Sequence, residues 1–170
     1  MRYVLALGSN VSNRVGRIKR ALLDLENWGN IEKVSNFYLT YPFKMPTTAE
    51  VLNCCIRYET LLYPAELLEL VESVERVGGR RKNRIGWKRR RVYSKRSIDI
   101  DIILWENGEW ISERLVIPHR EWIRRYFVRI PAVEVMGENF GKILNEVEST
   151  ALVDSLNLDL RLIKLNVKGD

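Results

Sequence analysis

RSIDIDIILW, residues 96–105, sets Asp99 and Asp101 into a run that is otherwise apolar. Isoleucines at 98, 100 and 102 alternate with the two acids, and Ile103 and Leu104 continue the run. A period of two carried by β-branched residues predicts a strand. Successive side chains of a strand point to opposite faces, so both carboxylates share one face, roughly 7 Å apart. On a helix, positions i and i+2 do not face each other. The strand therefore brings two negative charges together, and their repulsion calls for a cation between them.

Upstream, RYVLAL predicts a short strand that stops at Gly8-Ser9-Asn10. Val15, Ile18, Leu22 and Leu25 then repeat at helical spacing, with Ser12 or Asn13 as the cap. NIEKVSNFYLT reads as a second strand running into the proline-bearing loop YPFKMPTTAE, and VLNCCIRYETLL as a third. In YPAELLELVESVERVGG, Pro64 suits a first helical turn and Gly78-Gly79 ends the helix, with Leu67, Leu70, Val71 and Val74 facing the core. After the aspartate strand come a turn at ENGEW, an extended RLVI and a short helix after Pro118. A further helix, GKILNEVES, leads to a last extended stretch, LDLRLIKLNV. Strand, helix, strand, strand, helix, strand is the split βαβ order. The expected class is α+β: a ferredoxin-like core with a mainly antiparallel sheet, helices packed on it, and C-terminal additions. No repeat or linker divides the 170 residues, which read as a single domain.

Composition narrows the function. No apolar run reaches the length of a membrane span, and MRYVLALGSN turns polar too early for a secretory signal. The two cysteines, Cys54 and Cys55, are adjacent, with no CxxC pair to hold a metal, so they read as small core residues of a protein in the reducing cytoplasm. The formal net charge is +6, from 28 basic and 22 acidic residues. Ten of the basic residues fall between Arg80 and Arg96, which holds no acid; without that segment the chain carries 18 basic against 22 acidic residues. A slightly acidic body thus bears one intensely basic segment, expected to be mobile, and such a segment meets polyanions or is solvated.

Two hard carboxylates on one strand face suit Mg²⁺, which takes one or two carboxylates and completes its shell with phosphate and water. A D-x-D pair alone is more often a solvent-facing feature. Arg96 three residues upstream and the basic segment before it change the balance, because acids for a metal and guanidiniums for phosphate oxygens are the parts of phosphoryl transfer. His119, the single histidine, stands beside Pro118, placed at the start of the helix, and is as readily a packed or capping residue as a functional one. The LGSN turn is neither GxGxxG nor a Walker A sequence and points only weakly to anion binding. Trp87 and Tyr93, interleaved with arginines, suit base stacking or merely pin a loop. Nucleic-acid binding explains the charge split, but leaves unexplained two acids that repel a phosphate backbone. Another Mg²⁺-dependent phosphotransferase or nucleotidyltransferase would share the metal chemistry and differ in its acceptor.

Several stretches together resemble the 6-hydroxymethyl-7,8-dihydropterin pyrophosphokinases of the folate pathway: ALGSN, SNFYLTYPF with LNCCIRYET, PAELLELVESVERVGGRR, RSIDIDIILW and RLVIPHREWIRRYFVRIPAVEV. They follow the family order up to residue 157, and the aspartate strand with the RL…PH…R.F…P pattern is specific. The resemblance implies transfer of a pyrophosphoryl group from ATP to the pterin hydroxymethyl oxygen, with release of AMP. It implies that Asp99 and Asp101 hold two Mg²⁺ ions that bridge the ATP phosphates, and that Arg80 and Arg96 assist transfer. Glu75, Arg96, Arg114, His119 and Arg125 match positions around the nucleotide. Thr40, Pro42, Phe43, Asn53, Tyr93 and Phe127 match the pterin pocket, where an aromatic face and amide hydrogen bonds suit a flat ring with polar edges. ATP and the pterin are the implied partners, with no nucleic acid and no membrane.

The chain also departs from the family. Tyr93-Ser94-Lys95-Arg96 replaces the usual Trp-Gly-Pro-Arg, and extra residues lie between Arg80 and Arg96. Val51 stands where an aromatic is common, and Arg120 where a tyrosine is frequent. The C-terminal extension from residue 158 is expected to add an edge strand; a monomer is favoured, with a dimer through this extension as the alternative.

Overall fold

A computed structural model describes residues 1–40, 50–79, 97–141 and 143, and the backbone of 161–163. In chain order these form β1 (Arg2–Ser9), α1 (Arg14–Glu26), β2 (Asn30–Val34), β3 (Phe37–Thr40), β4 (Val51–Glu59), α2 (Pro64–Val77), β5 (Asp99–Trp105), β6 (Trp110–Ile111), β7 (Val116–Ile117), α3 (Tyr126–Val135), a 3₁₀ turn at Glu138–Phe140, and β8 (Arg161–Ile163). The main sheet runs β5-β1-β4-β3-β8, with β2 also pairing β4. Every pairing is antiparallel. This is the α+β architecture anticipated from the order of elements. None of the described helices is long and apolar enough to cross a membrane.

The two sheet faces bury different things. Tyr3, Leu5 and Leu7 of β1 pack with Cys54, Ile56 and Tyr58 of β4, with Ile100 and Ile102 of β5, and with α1 and α2. α1 presents Ile18, Ala21, Leu22 and Leu25 at helical spacing, and α2 presents Leu67, Val71 and Val74. Each fully buried aliphatic side chain contributes about 1.5–3 kcal/mol. Asn13 caps α1 with its side chain, accepting from the Gly16 N–H at 3.2 Å, and Pro64 opens α2. On the opposite face, Val4, Ala6, Cys55 and Ile103 meet Val128, Ala132 and Val135 of α3. The adjacent cysteines thus enter separate cores, as alternation along a strand requires.

α3 is fastened at its C-terminal end. Arg57 donates from Nη1 to the Val135 carbonyl at 3.2 Å, and its Nε pairs with Glu32 at 2.7 Å. Glu134 accepts from the Asn36 backbone N–H at 2.7 Å and from the hydroxyl of Tyr38. The helix N-terminus, with Phe127 in its first turn, is thereby held above the ends of β1 and β4.

Two expectations need correction. The stretch 30–40 is two strands, because Ser35 inserts into the ladder: its N–H donates to the Cys55 carbonyl and its Oγ accepts the Cys55 N–H, both at 2.9 Å. β2 and β3 therefore pair with different halves of β4. The helix placed after Pro118 begins only at Tyr126, so His119 does not open it. Residues 119–125 instead form turns, in which Trp122 N–H donates to His119 O at 3.0 Å and Arg125 takes an extended backbone. The segment GKILNEVES lies mostly outside the described residues, and the basic segment 80–96 wholly so. At the C-terminus the backbone of β8 pairs with β3, Leu162 opposite Tyr38.

The end of α2 approaches β5 closely. A Cβ on Gly78 would stand 2.6 Å from Cγ2 of Ile98, a residue only 1% exposed. Gly78→Ala is therefore expected to destabilise the fold by about 1–3 kcal/mol in urea denaturation, as overpacking does.

Candidate active site

Register builds the site. β5 lies against β1 with Asp99 opposite Gly8 and Asp101 opposite Ala6. β4 lies on the other side of β1 with Asn53 opposite Gly8. The face shared by these residues is the one α3 covers only in part. Small residues at 6 and 8 leave room between the carboxylates and Asn53. A Cβ on Gly8 would sit 3.2 Å from Asn53 Oδ1, so a side chain there would crowd the floor.

Above this floor opens a small cleft, lined by Gly8, Asn53, Asp99, Asp101, Arg125 and Phe127 among others. Five of these six are residues that the sequence singled out. Arg125 is the N-cap residue of α3, and Phe127 follows in the first turn, its ring edge-on to Tyr126 with centroids 5.7 Å apart. Asn53 is tethered beneath: its Nδ2 donates to Thr40 Oγ1 at 2.9 Å and to the Val51 carbonyl at 3.2 Å. The arrangement sets one aromatic ring, one oriented amide, one guanidinium and two carboxylates around a single space. Cys54 borders the floor, but its thiol points into the opposite core beneath α1 and α2, where burial pushes it up to about 12, so it offers no nucleophile to the cleft.

A second group gathers along the outer edge of β5. Glu75 of α2 accepts the Ile100 N–H at 2.9 Å. His119 donates its backbone N–H to Ile103 O at 3.0 Å, and its Nδ1 accepts from the Glu121 N–H at 3.3 Å. Arg114 pairs with Glu69 and, at 3.1 Å, with Glu72, both on α2. Glu75, Arg114 and His119 are thus tied to β5 or to the helix beside it, while Asn53, Arg125 and Phe127 surround the cleft. Asp99 and Asp101 stand between the two groups. Pro42, Phe43, Arg80, Tyr93 and Arg96 lie outside the described residues.

Reasoning from sequence missed Gly8 as a site residue, although its place at the end of β1 in the LGSN turn was the available signal. Phe127 opens α3, where the sequence had it following a helix. Among the described residues no group of three or more His, Cys, Asp or Glu side chains is placed to hold a metal. The donor set is a pair of half-buried carboxylates on one strand face. That set fits Mg²⁺, whose remaining ligands come from phosphate and water, and does not fit a metal that demands an all-protein cage.

A family model described as 7,8-dihydro-6-hydroxymethylpterin-pyrophosphokinase matches residues 4–137. The 2-amino-4-hydroxy-6-hydroxymethyldihydropteridine pyrophosphokinase of Haemophilus influenzae is 32% identical over 164 residues, covering 95% of this chain and 96% of that protein. A folate synthesis bifunctional protein of Arabidopsis thaliana is 36% identical over 79% of this chain, and the match spans 27% of that protein. The chain accordingly spans less than half the length of such bifunctional relatives. In solved structures, Plasmodium falciparum HPPK-DHPS shares the fold, with a TM-score of 0.60 and 13% identity over 95% of this chain and 47% of that one.

Thr40 and Asn53 form a buried pair, and losing one member strands the other. Thr40→Val is expected to cost about 1–3 kcal/mol of stability by leaving an amide donor short of an acceptor. Thr40→Ser should recover most of it, and urea denaturation of the three proteins checks both outcomes.

Proposed function

This chain belongs to the 7,8-dihydro-6-hydroxymethylpterin-pyrophosphokinase family, and we propose that it transfers a pyrophosphoryl group from ATP to 6-hydroxymethyl-7,8-dihydropterin in folate biosynthesis. The hydroxymethyl oxygen attacks the β-phosphorus of ATP and forms a new P–O bond. The bond from the β-phosphorus to the bridging oxygen breaks, AMP departs with that oxygen, and the hydroxyl proton is released. One observation carries the reading: a ring, an amide, a guanidinium and the two carboxylates line the same cleft.

Each residue has a part. Phe127 covers one face of the pterin, and Asn53 pairs with its polar edge through an amide held by Thr40. The proposed acceptor pocket also includes Pro42, Phe43 and Tyr93. Asp99 and Asp101 anchor the metal-bound triphosphate beside it. Asp99 and Asp101 would hold two Mg²⁺ ions there, which when bound would supply charge neutralisation for the phosphoryl oxygens. Arg125 at the cleft faces the same oxygens, and Arg80 and Arg96 add guanidiniums as charge develops during transfer. The nucleotide extends toward Glu75, Arg114 and His119 along the outer edge of β5. The working unit is proposed to be a cytoplasmic monomer.

The direct test is product identity. Incubation with Mg-ATP and the pterin should yield AMP and the pyrophosphorylated pterin, whereas ADP or no turnover would refute the reading. Asp99→Asn and Asp101→Asn should each lower turnover by about a thousandfold, since Lewis-acid stabilisation is worth several kcal/mol. Both should still fold, by thermal melt. Phe127→Ala and Asn53→Ala should raise the Michaelis constant for the pterin about tenfold, reflecting roughly 1–2 kcal/mol of stacking or hydrogen bonding. Calorimetric titration of nucleotide should show little change in either.

A further inference from the structure

Among the described residues, the strand that carries the two aspartates lies at the edge of the sheet, with β1 on one side only. Glu75 receives the Ile100 N–H, so that N–H points away from β1. In an antiparallel ladder the neighbouring residues then turn their own backbone groups toward β1. Asp99 and Asp101 are those neighbours, paired with Gly8 and Ala6. The outward N–H is not in water: Ile100 is 5% exposed and Glu75 is 4% exposed. A carboxylate set there makes a charge-assisted bond to a backbone group that none of the described strands reaches.

We propose that Glu75 is a positioning residue for the metal-binding pair, acting on Asp99 and Asp101 through the peptide between them. This rests on the reading of Asp99 and Asp101 as metal ligands. The Ile100 N–H belongs to the peptide plane that joins Asp99 to Ile100. Fixing that plane fixes the direction in which the Asp99 side chain leaves the strand, and with it the spacing to Asp101. Metal sites need their ligands held to within about 0.5 Å by a supporting shell. Other contacts point the same way. Ser9 Oγ donates to Ser97 O at 2.6 Å and pins the start of the strand. Arg17 donates to the Gly78 carbonyl at 3.3 Å and holds the end of α2, one turn beyond Glu75. The aspartate strand is thus gripped at its entry by β1 and at its outer edge by α2. Glu75 touches the strand from the edge rather than from inside the cleft, and the cleft lining does not include it.

The role separates from plain stability by three variants. Glu75→Ala removes acceptor and charge, Glu75→Gln keeps an acceptor oxygen, and Val71→Ala thins the core on the same helix while leaving the Glu75 carboxylate and its bond to Ile100 in place. Each is measured by thermal melt, by exchange of the Ile100 amide hydrogen, and by calorimetric binding of Mn²⁺ in the presence of a non-hydrolysable ATP analogue. Glu75→Ala should expose the Ile100 amide to exchange and weaken Mn²⁺ binding by about tenfold or more, the usual loss when a residue supporting a metal ligand is removed. Glu75→Gln should retain most of both. Val71→Ala should lower the melting temperature and leave Mn²⁺ affinity unchanged. A folded Glu75→Ala protein with wild-type Mn²⁺ affinity would overturn the proposal, as would an equal loss in Val71→Ala. Wild-type protein that binds Mn²⁺ with nucleotide but forms no AMP would count against the proposed reaction alone, since positioning is read here from metal binding. Failure of the wild type to bind Mn²⁺ at all would overturn both.

Discussion

The antiparallel pairing of β1 with β5 is the constraint on which the rest of the molecule depends. It places Asp99 against Gly8 and Asp101 against Ala6, so two acids meet two of the smallest side chains available. The same alternation sends Ile100 and Ile102 into the core beneath α1 and α2. One strand therefore serves two incompatible solvents, an apolar interior on one face and a polar cleft on the other. A slip of one residue in this pairing would bury both carboxylates and expose the isoleucines, a change no marginally stable domain survives. Register and chemistry are one specification here.

From that strand the site divides naturally. The cleft side is bounded by Asn53 from β4 and by Arg125 and Phe127 from the start of α3. The edge side is bounded by α2 and by the segment following β7, which brings His119 to the Ile103 carbonyl. The proposed transfer needs both reacting groups in one place, and a cleft and a strand edge that meet at the two carboxylates would supply it. The scaffold is stiff where it matters. Thr40 holds the Asn53 amide, Glu75 holds the aspartate strand, and Glu134 ties α3 to the residues around β3.

Much of this was legible in the residues themselves. The Ile-Asp alternation revealed the strand, its shared acidic face and the demand for a cation, because a period of two has a single geometric consequence. Pro64, Gly78 and the spacing of Leu67, Val71 and Val74 placed α2 correctly for similarly local reasons. The meeting of Asn53, Arg125 and Phe127 with the aspartates was anticipated from the family resemblance. Spacing along the chain gives no such information, since these residues come from three elements distant in sequence. What stayed hidden depended on tertiary partners. The break at Ser35 exists because its hydroxyl substitutes for a ladder acceptor at Cys55, and nothing within NIEKVSNFYLT announces Cys55 as its neighbour. The late start of α3 follows from the turns at 119–125, which compete with helix over a stretch whose composition suits either. The bond from the Ile100 N–H to Glu75 was hidden for the same reason, because the two residues stand 25 apart in sequence.

The central claim is that the paired carboxylates of β5 form the platform for metal-bound triphosphate, with the acceptor beside them. A crystal structure of the protein with Mn²⁺, a methylene analogue of ATP and the pterin tests it most directly, because anomalous scattering locates the metal independently of the protein density. The account predicts Mn²⁺ peaks in direct contact with the Asp99 and Asp101 carboxylates, bridged to the β-phosphate, with the pterin ring against Phe127 and its edge on Asn53. Metal bound only to phosphate and remote from β5, or a pterin seated outside this cleft, would contradict it.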